Sequence, residues 1–218
     1  MEYELKFWTD DEDRFRHISS LAEYSLISQS DYPCNNVHSL YFTNDLDEFI
    51  EQKIESEFYK KKFRLRWYDN SEIFWESKER FGEKRAKSRS KVDLNINEII
   101  QNRPFIYKNL QAIIGVSYKR RRFIDPVLNC RVNIDSDLKI TYFDKTRLPQ
   151  PIFSNELNKF VIEAKCSNKI IALNTLKKFD IDYANSFSKS VYAIQLLKHN
   201  QLSRNKNAVY GLLSSDGY

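Results

Sequence analysis

From Tyr59 to Tyr68 the chain reads Tyr-Lys-Lys-Lys-Phe-Arg-Leu-Arg-Trp-Tyr. Side chains of an extended strand alternate between its faces, so Lys60, Lys62, Arg64 and Arg66 share one face and Phe63, Leu65 and Trp67 the other. The pattern recurs along the chain. Glu2, Glu4 and Lys6 oppose Tyr3, Leu5 and Phe7; Glu76, Lys78 and Arg80 fall in phase, as do Lys87, Arg89 and Lys91. Arg120 is in phase with Arg122, while Arg131, Asn133 and Asp135 oppose Val132 and Ile134, and Glu163 and Lys165 oppose Phe160, Ile162 and Ala164. A solvated face of an ordinary antiparallel sheet explains any one of these strands. It does not explain the repetition, because like charges side by side on a sheet are destabilising and call for an anionic counterpart. If the sheet closes into a small barrel, the charged faces point inward, the apolar faces meet amphipathic helices outside, and a polar tunnel results.

The remaining pattern supplies those helices. Phe15, Ile18, Leu21, Ala22 and Leu26 recur at helical spacing after Thr9 and an acidic first turn, and Asn44 or Asp45 caps a second run through Leu46, Phe49, Ile50 and Ile54. Short helical pieces are expected near Ile96 to Ile100 and Tyr107 to Ile114. Further helices are expected at Asn168 to Lys178 and from Ser186 or Ser188 through Lys198. Strands are expected at 3–8, 37–42, 59–68, 72–80, 84–91, 116–123, 130–135, 139–143 and 159–166. The expected fold class is α+β, an antiparallel sheet with flanking helices that becomes a closed antiparallel β-barrel if the charged faces turn inward. With no repeat or Pro-rich linker, residues 1–218 read as one domain with a core over about 2–200 and a polar tail over about 203–218.

Composition narrows the function. The chain has 15 Phe, 13 Tyr and 3 Trp, enough apolar surface to exclude wholesale disorder. Its four glycines fit neither a dinucleotide fingerprint nor a Walker loop, so any bound phosphate must be held by side chains. Cys34, Cys130 and Cys166 lie far apart with no CxxC pair, which argues against a zinc knuckle and a disulfide framework and for a reducing compartment. No apolar run approaches a membrane span and the N-terminus is unlike a signal peptide, so a cytoplasmic location is expected. The net charge of +5 conceals segregation: residues 1–57 carry 4 basic and 14 acidic side chains, and residues 58–92 carry 12 and 5. Concentrated cations mark either a solvated face or an anionic partner such as nucleic acid, a membrane surface or a phosphorylated compound, and carboxylates among them suggest a divalent metal, since Mg²⁺ or Mn²⁺ takes oxygens from one or two carboxylates and from phosphates.

Glu2-Tyr3-Glu4-Leu5-Lys6 has the ExExK form of the triphosphate tunnel metalloenzymes. Ser39-Leu40-Tyr41-Phe42-Thr43, Lys62-Phe63-Arg64-Leu65-Arg66, Glu76-Ser77-Lys78 and Gly82 to Arg89 follow in order. Tyr118-Lys119-Arg120 with Phe123, Arg131 with Asp135, Val161 to Lys165 and Ser188-Lys189 complete the series. Over roughly residues 2–192 the chain resembles the polyphosphate polymerase (VTC) domain of that superfamily. The resemblance implies that Arg64, Arg66, Lys78, Lys87, Arg120 and Arg131 are catalytic and hold a triphosphate or growing polyphosphate, with Lys6, Lys62 and Arg89 helping. It implies that Ser188 and Lys189 bind phosphate at the tunnel mouth, and that Glu163, with Glu4 and Glu2, holds Mn²⁺ or Mg²⁺. Departures from the family pattern are Ser186 where a lysine is common, Thr43-Asn44 for Asp-Thr, and Ser190 for the Tyr that follows Ser-Lys.

The activity so implied is transfer of the γ-phosphoryl group of ATP to a polyphosphate chain, which needs positioning and charge stabilisation but no nucleophilic Ser or Cys. Hydrolysis of triphosphate is the alternative, with Glu2, Glu4 and Glu76 as candidates to activate water. Non-catalytic polyanion binding is the third reading. ATP and inorganic polyphosphate or triphosphate are the expected partners, nucleic acid is not, and with no transmembrane segment any membrane coupling requires a partner protein. Lys61, Lys119 and Arg121 fall on the outer phase and are expected in solvent, and His17, His38 and His199 are expected to have structural or surface roles.

Overall fold

The computed structural model of the chain describes residues 3–29, 31, 33–45, 49, 59–69, 71–82, 84–95, 106–142, 154–184 and 187–196. In chain order the elements are β1 (Tyr3–Thr9), α1 (Glu12–Ser25), β2 (Ile27–Ser28), β3 (Cys34–Thr43), β4 (Tyr59–Tyr68), β5 (Ile73–Phe81), β6 (Lys84–Val92) and β7 (Ile106–Tyr107). They continue with β8 (Leu110–Asp125), β9 (Cys130–Tyr142), β10 (Ser154–Leu157), β11 (Phe160–Cys166) and α2 (Lys169–Lys177), and α3 spans 189–196. The strands form one antiparallel sheet with the path β1–β11–β9–β8–β3–β4–β5–β6; β2 and β7 add to β8, and β10 to β9.

The two outer helices form where their sequences provide caps. Asp11 Oδ1 accepts from the backbone N–H groups of Asp13 (2.9 Å) and Arg14 (3.0 Å) at the start of α1, and Asn168 Oδ1 accepts from Ile170 N–H (2.7 Å) at the start of α2. Ile18, Ala22, Ala172 and Leu176 of these helices pack on Phe7, Val132, Ile134, Ile162 and Ala164, the outer faces of β1, β9 and β11. Each fully buried Ile, Leu or Phe there contributes roughly 1.5–3 kcal/mol. The alternation expected in these strands is therefore realised, with apolar residues outward beneath helices.

β9 changes which residues it turns inward. Asp137 takes φ 54°, and the register with β8 shifts between Ser117 and Lys119. Ahead of this bulge the odd residue Asp135 meets Arg120 and Lys189 while the even Ile134 packs under the outer helices. Beyond it the even residues Leu138, Ile140 and Tyr142 turn inward and pack with Phe187, Ala193 and Ile194. A bulge re-aims side chains in this way, and the inner wall passes from an ionic half to an apolar bed for α3. Tyr142 Oη completes the seat by donating to the Ala193 carbonyl (2.6 Å).

Four expectations need correction. No ladder joins β1 to β6 among the described residues, so the sheet is not closed by hydrogen bonds, although both edges line one cavity, as shown below. The segment 107–114 is a hairpin rather than a helix: Lys108 and Asn109, at φ 51° and 61°, form the two-residue turn between β7 and β8. Ala112, Ile113 and Ile114 are all buried, which removes the alternation that marks a strand. The separate strands expected at 130–135 and 139–143 are one strand continued through the Asp137 bulge. Finally, Cys130 and Cys166 form a disulfide. They sit on paired strands one position beyond the Lys165–Arg131 pair, a proximity that spacing in sequence does not reveal, and their bond runs against the reducing compartment inferred from cysteine spacing. Cys34 is free and exposed. The helical piece near 96–100 and most of that at 44–54 lie outside the described residues; Phe49, whose N–H donates to the Asp45 carbonyl (3.2 Å), is helical.

Candidate active site

The inward faces enclose a cavity of about 360 Å³. Its lining includes ten cationic side chains, Lys6, Lys62, Arg64, Arg66, Lys78, Lys87, Arg89, Arg120, Lys165 and Lys189, against three carboxylates, Glu4, Glu76 and Glu163. Strand alternation concentrates them because every second residue of β1, β4, β5, β6 and β11 points to the same interior.

On one wall the carboxylates are shared. Glu163, 4% exposed, lies 3.0 Å from Lys165 Nζ and 3.2 Å from Arg120 Nη2. Burial alone would raise its pKa, but Lys165, Arg120 and Lys6 outweigh that and hold the carboxyl well below the usual range. Glu4 lies 2.7 Å from Lys6 Nζ and 3.7 Å from the same Lys165. Arg120 donates from Nε (2.6 Å) and Nη2 (2.8 Å) to both oxygens of Asp135, a bidentate pair. Lys189 Nζ donates to Asp135 Oδ2 as well (2.6 Å) and lies 4.4 Å from the Tyr118 ring centre. Asp135 is 2% exposed; against the burial that would raise its pKa, Arg120 and Lys189 keep it ionised.

The facing wall is more positive. Glu76 is held by Arg64, whose Nε lies 2.7 Å away, with Arg89 at 3.7 Å and Arg66 at 3.8 Å. Burial pushes the Glu76 pKa up and the arginines, Arg64 first, bring it below its ordinary value. Lys62, Lys78 and Lys87 are direct register partners across β4, β5 and β6. None of the three has a salt-bridging carboxylate among the described residues, although Glu4 attracts Lys78 at longer range, so this row of like charge is only partly compensated. Lys62 Nζ donates to Ser190 Oγ (2.9 Å) and Ser188 Oγ (3.2 Å). Burial, then the charges of Lys6, Arg64, Lys78 and Lys60, lowers its pKa to about 7.

The residues named in sequence fall as follows. Arg64, Arg66, Lys78, Lys87 and Arg120 line the cavity, as do Lys6, Lys62, Arg89, Ser188, Lys189, Glu163 and Glu4. Arg131 does not; it is exposed at the end of β9 beside Lys165, and Glu2 lies outside the described residues. Lys61 and Arg121 point outward and pair with Glu79 and Glu23. Tyr41 and Tyr118 also line the cavity, Tyr41 Oη accepting from Arg64 (3.4 Å). Neither stood out in sequence, although Tyr41 lies in phase with Ser39, whose Oγ accepts from Arg66 (3.2 Å). Asp135 holds Arg120 and Lys189. The departure at Ser190 has a local role, since a buried hydroxyl there receives Lys62.

No group of three or more His, Cys, Asp or Glu side chains arranged for a metal occurs among the described residues. The donor set nonetheless fits Mg²⁺ or Mn²⁺: Glu4 and Glu163 converge on Lys165 beside an anion-seeking cavity, and such ions take one or two carboxylates plus phosphate oxygens and water.

A family profile for the VTC domain matches residues 1–105. No curated protein matches the chain. Among solved structures, a Hippeastrum protein provisionally named an adenylyl cyclase, with a dominant triphosphatase activity, superposes with a TM-score of 0.56 at 15% identity, over 89% of this chain and 95% of that one. A Bacillus halodurans protein provisionally named an adenylate cyclase superposes with a TM-score of 0.54 at 13% identity, over 86% and 94%. At these identities the likeness is one of fold, that of the triphosphate tunnel proteins.

Proposed function

We propose, on the premise that the chain belongs through residues 1–105 to the VTC domain family of the triphosphate tunnel fold, that it is a metal-dependent polyphosphate polymerase using ATP. The observation that carries this reading is the excess of cations over carboxylates in one enclosed cavity, ten against three. Such a field selects a compact polyanion. Arg64, Arg66, Lys78, Lys87 and Arg120 grip the triphosphate and spread the charge of the transferring phosphoryl group over fixed donors. Lys6, Lys62, Arg89, Ser188 and Lys189 hold the acceptor end, and Arg131 receives the chain at the rim. Glu163 and Glu4, with Glu2, hold Mn²⁺ or Mg²⁺, which supplies neutralisation of the bridging phosphate oxygens. The reading takes residues 1–218 as one tunnel domain that closes around its substrate.

Transfer is favoured over hydrolysis by the state of the carboxylates. An acceptor phosphate is already anionic, whereas water needs a base whose pKa lies near the working pH. Glu76, one of the candidate bases, has a pKa below the ordinary range, which makes it a poor base. Hydrolysis of triphosphate is the second reading, supported by the triphosphatase activity of the Hippeastrum protein. Incubation with ATP and Mn²⁺ and separation of the products tests both. Chains longer than three phosphates support the polymerase, and orthophosphate without them supports the triphosphatase. Polyanion binding that survives Glu163→Ala and chelation, without turnover, overturns both in favour of a binding module.

A further inference from the structure

Lys62 and Ser188, which hold the acceptor end, form one hydrogen-bonded group with Ser190. The Lys62 amine lies 3.2 Å from Ser188 Oγ and 2.9 Å from Ser190 Oγ, and the two hydroxyls are 3.3 Å apart. Ser190 is 1% exposed, and its hydroxyl is within hydrogen-bond distance of both Lys62 and Ser188. Ser188 lines the cationic cavity and also the adjoining one of about 720 Å³. It stands at the start of α3, where its carbonyl accepts from Tyr192 N–H (2.9 Å), so a group on its Oγ faces the unpaired N–H donors of the first turn.

The charges acting most strongly on Lys62 are cationic, Lys6 from β1, Lys60 and Arg64 from β4 and Lys78 from β5; the two serines are its hydrogen-bond partners, and Glu4 of β1 lines the same two cavities. Burial and these charges leave the amine neutral in half of the molecules near pH 7. A neutral amine accepts the Ser188 hydroxyl proton while still donating to Ser190, the arrangement by which a lysine activates a serine nucleophile.

We infer that Ser188 is a self-phosphorylation site, with Lys62 as general base and the γ-phosphoryl group of a nucleoside triphosphate as donor. Ser188 Oγ attacks the γ-phosphorus, and an Oγ–P bond forms. The bond from that phosphorus to the β,γ-bridging oxygen breaks, its electron pair leaving on the nucleoside diphosphate, and the hydroxyl proton passes to Lys62 Nζ. The phosphoserine so formed is an anionic acceptor inside the tunnel, which allows the protein to start a chain without a free phosphate primer. Ser190 is a positioning residue that orients Lys62.

This inference rests on the tunnel reading, because the donor must bind in the cavity. The test incubates the full chain with γ-labelled ATP and Mn²⁺ over pH 6 to 9, denatures it, and maps the acid-stable label by peptide mass spectrometry, with tripolyphosphate binding measured by calorimetry in parallel. The expected result is label on the peptide containing Ser188. It is lost in Ser188→Ala and restored in Ser188→Thr. It falls at least tenfold in Lys62→Met, and in the parent chain its rate climbs with pH. Tripolyphosphate binding without label, or label unchanged in Ser188→Ala, overturns the inference and leaves the tunnel reading standing. Loss of both binding and label in the parent chain overturns the two together.

Discussion

Lys62 is where the structure makes its most quantitative demand. Its amine is held in the cavity among Lys6, Lys60, Arg64 and Lys78 and has a pKa of about 7 in place of 10.5. That fall corresponds to roughly 5 kcal/mol by which the folded state disfavours the charged amine. Between pH 7 and 10.5 the unfolded chain binds the proton and the folded chain does not, so this group makes stability rise with pH. The penalty is complete below about pH 7 and absent above 10.5. Lys62→Met keeps the apolar stem and removes the charge. The variant is therefore expected to be more stable than the parent by a few kcal/mol, about 2–5, at pH 6.5. The gap should shrink by pH 8.5 and approach zero at pH 10. Urea unfolding of both proteins at these pH values, at low salt, measures the gap, and subtraction cancels the other titrating groups they share. A gap independent of pH, or a parent more stable than the variant at pH 6.5, refutes the reasoning.

Other expectations follow from particular contacts. Asp135→Asn leaves Arg120 and Lys189 buried without their shared carboxylate and should cost about 3–5 kcal/mol at neutral pH in urea unfolding. Because the Asp135 pKa lies below 3.8, the parent's advantage should vanish as the pH falls through its lowered value, and an advantage that persists at the acid end would contradict the assignment. Asp137→Gly should be tolerated while Asp137→Val loses about 1–2 kcal/mol, since a β-branched residue resists φ 54°; equal melting temperatures for the two would count against the bulge. Glu163→Gln should abolish metal-dependent turnover while metal-free tripolyphosphate binding holds or tightens, as it removes one of the three carboxylates that line the cavity among the described residues. Calorimetry without metal showing weaker binding would assign Glu163 to structure instead.

The site was more legible in sequence than the frame around it. Phase alone placed Lys62, Arg64 and Arg66 with Lys78, Lys87 and Glu163 on inward faces, because alternation is a local property that survives whatever the strands pair with. Arg131 marks the limit of that logic: it shares the phase of Asn133 but sits at the strand end, where the wall stops. Segment 107–114 misled because Ala112, Ile113 and Ile114 are covered on both faces, and a run without alternation reads equally as helix. The Asp137 bulge and the Cys130–Cys166 bond depend on which strand lies alongside, and one sequence does not show that. Tyr41 and Tyr118 matter through the guanidinium and ammonium groups laid against them, again a tertiary fact.

The most direct measurement is a crystal structure with a nonhydrolysable ATP analogue and Mn²⁺. The account predicts phosphate oxygens within hydrogen-bond distance of Arg64, Lys78, Lys87 and Arg120, and Mn²⁺ bridging them to Glu163 in place of Lys165. Phosphates bound on the outer surface, with Glu163 still held by Lys165 and Arg120 and the cavity free of ligand, would contradict it.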